Sequence, residues 1–337
     1  MNVTLRPRVC VLGAGAWGSV LAGLAAGSSD GLGGREVMLW ARRAELVRQL
    51  DQERTHPALP DYRIAPSILV TNKLEMIVGA DVVVLAVPAQ ETREVCMLIS
   101  PFLGEGCYAV IAAKGIEQQS NLMMHEVVGE VLPGAVPVIL SGPGFADDVA
   151  SGLPAAVTVA ASDEALARVI ADIFASANFR PYVGDDLIGT ALGGAVKNVL
   201  AIAVGIVVGR GLGDSARAGL VARGLAELTR FGLALGARRE TFAGLSGLGD
   251  LVLTANSLKS RNTQVGIALG SMGAASPTLE KNVPLAEGIH TAPAVLARAS
   301  EVGVEMPICR AVWQVLTEKI GIDEAVISLL DRPLKSE

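Results

Sequence analysis

The sequence predicts an α/β protein in which a doubly wound, largely parallel Rossmann-type sheet is followed by an all-α domain. Three observations predict this fold class. A glycine-rich turn directly follows the first apolar strand, apolar β-rich runs then alternate with helical patterns as far as residue 183, and the strand signal disappears after about residue 186. Because this change falls near residues 184–189, we place the two domains at residues 1–186 and 187–337.

The first strand and the turn after it occupy residues Val9–Gly18, where the apolar run breaks into glycines at 13, 15 and 18. Gly13 permits a sharp turn, Gly15 lets a pyrophosphate approach the main chain, and Gly18 lets the next helix pack closely on the strand. The free N–H groups and partial positive charge of that helix end favour a bound diphosphate. The spacing predicts a dinucleotide-binding domain. The alternative is a glycine-rich turn in another kind of α/β protein.

The remaining strands of the predicted sheet are short apolar runs. Between them, apolar residues recur at helical spacing in Gln90–Leu98, Asn121–Leu132 and Glu164–Ala175. Such alternation indicates a largely parallel sheet covered on both faces, with ligands beyond the carboxyl ends of its strands. The predicted strands are Val9–Leu12, Val37–Trp40, Ile68–Val70, Val82–Val87, Tyr108–Ala112, Val136–Leu140, Ala156–Ala160 and Phe179–Val183.

The C-terminal domain reads as one helix after another. Its most apolar segment, Leu187–Val208, approaches the length of a membrane span, but Lys197 and Asn198 lie at its centre, so we predict a buried core helix and no membrane span. Such a helix can bury against a partner subunit as readily as inside one chain, and a homodimer is the assembly that we expect. The predicted helices are Leu187–Val208, Ala216–Leu235, Asn262–Leu269, Thr291–Val302, Arg310–Lys319 and Glu324–Leu329.

Composition and charge exclude several classes of function. The net charge is −6 and only 4% of the residues are aromatic. This argues against a nucleic-acid partner but allows a local basic pocket for a phosphorylated small molecule. The four cysteines and three histidines are scattered, without the spacing of metal or redox motifs. We therefore expect no metal site and a reduced, cytoplasmic protein.

The end of the second strand bears on the choice of cofactor. Ala41, Arg42 and Arg43 follow this strand directly. An NAD site usually places an acidic residue here for the adenosine ribose, whereas an NADP site supplies arginine for the 2′-phosphate. Two arginines and no acid slightly favour NADP over NAD, and the pattern is compatible with use of both. Alternatively, both arginines are solvated residues of the next helix, and Arg42 can also stack on adenine.

Lys197 lies in the middle of the apolar helix, and its ammonium group must either reach water or find a partner. If it instead faces a ligand cleft, it can exchange a proton with an alcohol or ketone oxygen. Asp250, in the segment Gly247–Leu251, heads a short apolar run. It is either the N-cap of a short helix or the group that holds the lysine or a substrate hydroxyl.

Ser260, Arg261 and Asn262 begin a predicted helix. Hydroxyl, guanidinium and amide donors at a helix N-terminus suit a phosphate group. Helix capping alone explains Ser260 and Asn262 but does not require Arg261. The three residues are therefore candidates for binding a phosphorylated substrate.

Two loops lie at the predicted ligand edge of the sheet. Lys114 follows the fifth predicted strand and can donate to a substrate oxygen or phosphate. Gly142 and Gly144 follow the sixth strand and offer close approach to the backbone. Each segment also reads as an ordinary loop.

Taken together, these segments resemble the NAD(P)-dependent glycerol-3-phosphate dehydrogenase family, in its bacterial soluble type. The resemblance spans nearly the whole chain, and the order and spacing of the motifs make it far more specific than the glycine turn alone. The motifs are GAGAWG at 13–18, AAKG at 112–115, SGPGFA at 141–146, VKNV at 196–199, GLGDL at 247–251, SRN at 260–262 and AEG at 286–288.

The resemblance implies hydride exchange between NAD(P)H and the C2 carbon of dihydroxyacetone phosphate, giving sn-glycerol 3-phosphate for phospholipid synthesis. It implies that Lys197 accepts the C2 hydroxyl proton in oxidation and donates it in reduction. The implied substrate-binding residues are Lys114, Gly142, Gly144, Lys197, Asp250, Ser260, Arg261 and Asn262. The implied cofactor-binding residues are Gly13, Gly15, Ala16, Trp17, Gly18, Arg42, Arg43, Lys114, Ala146, Arg261, Leu285 and Glu287.

The sequence departs from the family pattern at two positions. Gly144 stands where the family usually has Ser or Thr, so a side-chain hydroxyl is lost although the backbone N–H can still serve. Leu285 replaces a commonly seen Val. Two other readings stay open: a hydroxy-acid or ketopantoate-type reductase with a carboxylate substrate, and a non-enzymatic dinucleotide sensor that needs no set of Lys197, Asp250 and Arg261.

Overall fold

The structure is a computed structural model that describes residues 7–27, 35–271 and 286–333. The chain divides into two compact units, the first formed by Met1–Lys114 with Met123–Ala191 and the second by Gly115–Leu122 with Leu192–Glu337. By contacts, the chain thus changes unit between Ala191 and Leu192, inside a helix. The domain limits 1–186 and 187–337 stay a prediction.

An eight-stranded sheet forms the framework of the first unit, in the order β3-β2-β1-β4-β5-β6-β7-β8. All eight predicted strands are present, with ends that differ from the prediction by at most two residues. The strands are β1 (Val9–Leu12), β2 (Val37–Trp40), β3 (Ile68–Thr71), β4 (Val82–Leu85), β5 (Tyr108–Ile111), β6 (Val136–Ser141), β7 (Ala155–Ala160) and β8 (Phe179–Gly184).

The strands from β3 across to β6 are all parallel, whereas β7 runs antiparallel to β6 and parallel to β8. The predicted largely parallel sheet is confirmed, with this one reversal. The connection from β6 to β7 contains only the short helix Ala146–Ala150. An antiparallel neighbour can be reached through such a short connection, while a parallel one needs a longer crossover.

Helices cover the sheet and explain why its central strands are apolar throughout. Every residue of β1, β2, β4 and β5 is buried, as expected for strands covered on both faces. Because these strands are parallel, their carboxyl ends share one edge of the sheet, where the predicted ligand loops lie. The helices are α1 (Ala16–Ala26), α2 (Ala44–Glu53), α3 (Thr92–Ile99), α4 (Met124–Val131), α5 (Ala146–Ala150) and α6 (Glu164–Phe174).

From Leu192 onward the described residues of the second unit form helices joined by turns, as predicted, whereas its segment Gly115–Leu122 contains no helix. The structure starts α12 and α13 three or four residues earlier than the sequence pattern suggested, at Glu287 and Pro307. A π-helical turn at Leu245–Gly249 was not predicted. The helices are α7 (Leu187–Gly209, which begins in the first unit), α8 (Asp214–Ala234), α9 (Arg239–Ala243), α10 (Asp250–Ala255), α11 (Arg261–Ser271), α12 (Glu287–Glu301), α13 (Pro307–Leu316) and α14 (Ile322–Leu330).

By length and composition α7 is a candidate membrane span, since its most apolar window has a mean hydropathy of 2.0. However, 89% of that window is buried within the structure. Burial of this extent is what a core helix requires, and it supplies the apolar surroundings that the sequence demands.

Glycines let α7 and α11 approach each other backbone to backbone. A β-carbon built on Gly205 would lie 2.3 Å from the carbonyl oxygen of Thr263, and one on Gly266 would lie 2.1 Å from that of Ile202. Real β-carbons do not approach so closely, so a larger residue at either position would force the helices apart. The close packing holds the first turn of α11 beside the middle of α7.

Candidate active site

The glycine turn, Gly13–Gly18, joins β1 to α1 with a different role for each glycine. Gly13 has a φ of 111°, and a β-carbon there would lie 2.7 Å from the carbonyl oxygen of Ala86. A β-carbon on Gly18 would lie 1.9 Å from the carbonyl oxygen of Gly13, whereas one on Gly15 meets nothing within 4 Å. Gly13 and Gly18 therefore allow the turn itself, while Gly15 leaves open space in front of the backbone.

That open space lies at the N-terminus of α1, where Gly15 is the N-cap residue without any side-chain cap. The first amides of a helix have no intrahelical acceptor, so they can donate to an anion bound at this helix end. Ala16, Trp17 and Gly18 supply the first residues of this helix. The arrangement fits a diphosphate, because both the donors and the room for it are present.

A cavity of about 310 Å³ adjoins the glycine turn and the carboxyl end of β2. Four predicted cofactor residues line it together: Gly13, Gly15, Arg42 and Arg43. The cavity thus joins the proposed diphosphate cradle to the place where the adenosine ribose lies in dinucleotide folds. The other residues lining it are Ala14, Trp40, Ala41, Leu46, His56, Ala86, Val87, Pro88, Glu91, Glu94, Val95 and Leu98.

Two acidic residues in this cavity were not predicted. Arg42 Nη2 lies 3.1 Å from Glu91 Oε2, and Arg42 Nη1 lies 3.7 Å from Glu94 Oε2. Both carboxylates come from the start of α3 or the turn before it, about fifty residues along the chain from Arg42. Sequence reasoning considered only the end of β2 and so missed partners that the sheet topology brings in.

Trp17 lies against the loop that follows β6. A β-carbon built on Gly144 would lie 3.5 Å from Trp17 Cη2, which is an ordinary van der Waals contact. The Trp17 ring also packs against Phe179, with ring centroids 6.4 Å apart. Trp17, Gly144 and Ala146, the first residue of α5, do not line the cavity at Arg42 but lie along a separate part of the same unit.

Lys114 and Gly142 are joined directly, since Lys114 Nζ donates a hydrogen bond of 2.9 Å to the carbonyl oxygen of Gly142. Gly142 has a φ of 141°, and a β-carbon there would lie 2.9 Å from the Cα of Val157. The loop therefore requires glycine at this position, and its carbonyl oxygen helps to position the lysine. The carboxyl ends of β5 and β6 bring these two predicted site residues together.

In the second unit, Lys197 forms a buried cluster with Asp250 and Thr254, which we call the lysine cluster. Lys197 Nζ lies 2.5 Å from Asp250 Oδ1 and donates to Thr254 Oγ1 at 2.7 Å. All three residues are buried, and Lys197 is only 7% exposed. The ammonium group does not reach out to bulk water, so the alternative of a solvated lysine is wrong.

The helix-cap interpretation of Asp250 is also wrong. Gly249 occupies the N-cap position of α10, and Asp250 is the first helical residue with its carboxylate turned to Lys197. Thr254 follows it on the same face of the helix, one turn on, and its hydroxyl lies 3.4 Å from Asp250 Oδ1. Thr254 was missed, although its i+4 spacing from Asp250 is a signal that sequence reasoning could have used.

The three residues at the start of α11 have different surroundings. Ser260 is buried and its Oγ accepts a hydrogen bond from Thr263 N, which is a helix cap. Asn262 is also buried: its Nδ2 donates to Asn198 Oδ1 at 3.0 Å, and its Oδ1 accepts from Gly288 N at 2.9 Å. Arg261 alone is exposed.

Asn262 thereby ties together three helices of the second unit. It connects Asn198, the neighbour of Lys197 on α7, to Gly288 at the start of α12. Glu287, a predicted cofactor residue, is the first residue of α12 and is partly buried. Leu285 lies outside the described residues.

Other reactive side chains offer no competing site within the described residues. The four cysteines are free and buried. Burial raises the pKa of Cys10, Cys96 and Cys107 to about 12, which leaves their thiols protonated and unreactive at neutral pH. No group of three His, Cys, Asp or Glu side chains that could hold a metal ion occurs in residues 7–27, 35–271 and 286–333.

Comparison with known families gives matches over both units. Residues 8–167 match the family described as NAD-dependent glycerol-3-phosphate dehydrogenase N-terminus, and residues 186–327 match the C-terminus of the same family. The chain is 48% identical over 331 residues to a glycerol-3-phosphate dehydrogenase (NAD(P)+) of Parvibaculum lavamentivorans, covering 98% of each chain. It is 49% identical to one from Bradyrhizobium sp. (strain ORS 278), again over 98% of each chain.

Solved structures agree with these sequence matches. The glycerol-3-phosphate dehydrogenase of Coxiella burnetii is similar with a TM-score of 0.88 and 33% identity, over 97% of this chain and 99% of that one. A ketopantoate reductase of Ralstonia eutropha is similar with a TM-score of 0.61 and 15% identity, over 92% of this chain and 97% of that one. At that identity the second likeness shows the fold alone.

Proposed function

We propose, from the premise that this chain belongs to the NAD-dependent glycerol-3-phosphate dehydrogenase family, that it interconverts dihydroxyacetone phosphate and sn-glycerol 3-phosphate with NAD(P)H or NAD(P)+. The single observation that carries the proposal is the lysine cluster. A buried ammonium group held by Asp250 and Thr254 is a proton donor and acceptor placed at a fixed point. A dinucleotide sensor would have no use for such a cluster.

Lys197 acts on the oxygen at C2 of the substrate. In reduction it donates a proton to the C2 carbonyl oxygen, and in oxidation its neutral amine accepts the proton of the C2 hydroxyl. Asp250 and Thr254 hold the amine by two short hydrogen bonds, so that its orientation does not have to be found during each turnover. The nicotinamide, when bound, supplies or accepts the hydride at C2.

The start of α11 binds the substrate phosphate. Arg261 carries the exposed charge, and the first amides of this helix add backbone donors. The side chains of Ser260 and Asn262 keep these donors in place, since both are engaged in hydrogen bonds within the second unit. Lys114, Gly142 and Gly144 are the substrate-binding residues proposed in the first unit.

The first unit binds the cofactor. Gly13, Gly15 and Gly18 form the diphosphate cradle, and Arg42 and Arg43 line the cavity at its adenosine end. Taken by themselves, the two arginines at the end of β2 slightly favour NADP over NAD. The further cofactor residues that we propose are Ala16, Trp17, Lys114, Ala146, Arg261, Leu285 and Glu287.

The product chemistry suggests the wider role. sn-Glycerol 3-phosphate is the backbone precursor of glycerophospholipids, and we propose that the enzyme supplies it in the cytoplasm. We further propose a homodimer, and no nucleic-acid partner. The net charge of −6 and the extensive burial of α7 support the absence of nucleic-acid and membrane partners.

An absorbance assay at 340 nm tests the proposed function. Purified protein is mixed with dihydroxyacetone phosphate and either NADH or NADPH, and oxidation of at least one reduced cofactor is expected. Pyruvate and ketopantoate serve as control substrates. They are ketoacids, and the alternative reductases use substrates with a carboxylate in the place where we propose that Arg261 binds a phosphate. No oxidation with dihydroxyacetone phosphate, or faster oxidation with a ketoacid, would overturn the proposal.

A further inference from the structure

We propose that Glu91 and Glu94 determine the cofactor specificity of this enzyme by neutralising Arg42, so that Arg43 alone is left to recognise the 2′-phosphate of NADP. The inference rests on the proposed function, since it assumes that a dinucleotide binds at the glycine turn. It assigns opposite roles to two neighbouring arginines that the sequence presents as equivalent.

The first step is the placement of the charged groups. Arg42, Arg43, Glu91 and Glu94 all line the cavity of about 310 Å³ that also contains Gly13 and Gly15. These four charges balance to zero. A 2′-phosphate bound in this cavity would therefore meet a neutral group of side chains, although the end of β2 by itself looks strongly basic.

The second step is that the pairing within this group is unequal. Both carboxylates converge on Arg42, at 3.1 Å for Glu91 and 3.7 Å for Glu94. The Arg42 side chain is 57% exposed, so each ion pair by itself is weak and can rearrange. The negative charges stay beside Arg42 whichever way its guanidinium turns, and they repel an incoming phosphate.

Arg43 has different surroundings. Within the described part of the chain no carboxylate lies at ion-pair distance from it. One titratable group that Arg43 affects is His56, whose pKa is lowered from its ordinary value by burial first and by the Arg43 guanidinium second. The lowered pKa favours the neutral imidazole, which does not compete with Arg43 for an anion.

His56 can add a hydrogen bond at this place. Its Nδ1 accepts a hydrogen bond from Ala58 N at 3.0 Å, so the proton of the neutral ring is on Nε2. Since His56 lines the same cavity as Arg43, it offers a neutral donor next to an uncompensated cation. Arg43 and His56 together form the better phosphate site of the two arginine positions.

The consequence is a cofactor site that accepts both dinucleotides. Its preference can be shifted by substitution toward either NADPH or NADH. Removing the carboxylates leaves two uncompensated arginines, which attract the 2′-phosphate. Removing Arg43 leaves a site in which the remaining arginine is already neutralised. Neither change touches the glycine turn, so the binding of the part common to NADH and NADPH stays the same.

The test measures binding, by titration calorimetry, of NADPH, NADH, 2′,5′-ADP and 5′-AMP to three variants and the unaltered protein. In Glu91→Gln/Glu94→Gln we expect NADPH and 2′,5′-ADP to bind about tenfold more tightly, with NADH and 5′-AMP changed less than about twofold. In Arg43→Gln we expect NADPH and 2′,5′-ADP to bind about tenfold more weakly, again with little change for NADH. Glu75→Gln, an exposed carboxylate outside the cavity, is the matched control and should change neither cofactor.

The outcomes separate this inference from the proposed function. Equal responses of NADPH and NADH to the double variant Glu91→Gln/Glu94→Gln, or no response to it, would overturn the role of Glu91 and Glu94 while leaving dihydroxyacetone phosphate reduction intact. Selective changes without any dihydroxyacetone phosphate reduction would contradict the proposed reaction but support the inference. Absence of dinucleotide binding to the unaltered protein would overturn both.

Discussion

In the first unit, the glycine turn acts through its backbone amides and through the space that the missing glycine side chains leave. In the lysine cluster of the second unit, they are three polar side chains brought together from positions 53 and 57 residues apart. Substituting a glycine of the turn is expected to be harmful because the added β-carbon fills space that a ligand or a neighbouring peptide needs. Removing a polar side chain from the lysine cluster is expected to be harmful because it leaves the remaining polar groups buried without that partner.

The two regions also differ in whether the same residue serves both the fold and the proposed function. At the turn, a β-carbon added to Gly13 or Gly18 would meet backbone atoms, whereas one added to Gly15 would meet nothing within 4 Å, so structural and ligand-binding roles fall on different residues. In the lysine cluster, Lys197 is at once the proposed proton carrier and the counter-ion of a buried carboxylate. Variants at the turn should therefore divide into two classes, while variants in the cluster should affect stability and activity together.

The largest effect is expected from Lys197→Ala. Loss of the proton donor and acceptor should lower kcat by about a thousandfold, while the affinity for NADH and NADPH, measured by fluorescence titration, stays within about twofold. Lys73→Ala, at an exposed lysine of the first unit, is the control and should keep full activity. Near-normal turnover by Lys197→Ala would exclude the proposed role of this lysine.

Stability should fall in the same variant, because Asp250 is 1% exposed and would lose its counter-ion. The expected loss is about 3–5 kcal/mol in urea unfolding. The double variant Lys197→Met/Asp250→Leu replaces the ion pair by apolar groups, so most of the stability should return while activity stays absent. Recovered activity in the double variant would show that the cluster serves only the fold.

The next largest effects should come from the glycine turn, where two substitutions sharpen the comparison. Gly18→Ala places a β-carbon 1.9 Å from a backbone oxygen and should destabilise the first unit by about 1–3 kcal/mol, because the backbone must shift. Gly15→Ala meets no protein atom and should leave the unfolding midpoint unchanged while weakening NADH and NADPH binding about tenfold or more. Equal affinities for Gly15→Ala and the unaltered protein would contradict the diphosphate cradle.

A smaller effect is expected for Thr254→Val, which removes the hydrogen bond from Lys197 Nζ to Thr254 Oγ1. Since Thr254 acts through the lysine, kcat should fall about tenfold with little change in the KM for dihydroxyacetone phosphate. Thr254→Ser keeps the hydroxyl and should restore most of kcat. A serine variant as slow as the valine variant would assign Thr254 to packing alone.

The two regions also differ in how far the sequence alone could describe them. The glycine turn was predicted in detail, because Gly13 and Gly18 meet within one short segment and their spacing encodes the geometry. Lys197 and Asp250 were predicted as site residues, but their direct contact was only one of the alternatives that the sequence left open for Asp250. No pattern in the sequence between them indicates which faces of α7 and α10 meet.

Long-range partners explain the remaining differences. Glu91 and Glu94 reach Arg42 only because β4 lies next to β1 in the sheet. The reversal of β7 was missed because an apolar run has no direction that could be recognised in the sequence. Local chemistry was therefore predictable, while pairings set by topology required the structure.

The smallest effect on stability is expected from Gly144→Ser. Its comparison with Gly142→Ala tests whether the room for a β-carbon decides how a glycine substitution affects the fold. Gly142 has a φ of 141° and no room for a β-carbon, so its variant should lose about 1–3 kcal/mol of unfolding free energy. Gly144 has room, since its β-carbon would make ordinary contact with Trp17 at 3.5 Å, and its serine variant should stay within about 0.5 kcal/mol of the unaltered protein.

The KM for dihydroxyacetone phosphate distinguishes the two further. Gly142 carries the carbonyl oxygen that accepts from Lys114, so strain there should displace the lysine and raise KM. Gly144→Ser only adds a hydroxyl of the kind that the family usually has, and KM should stay the same or fall. A Gly144→Ser variant as unstable as Gly142→Ala would mean that the Trp17 ring cannot yield, and that glycine at 144 is required by packing after all.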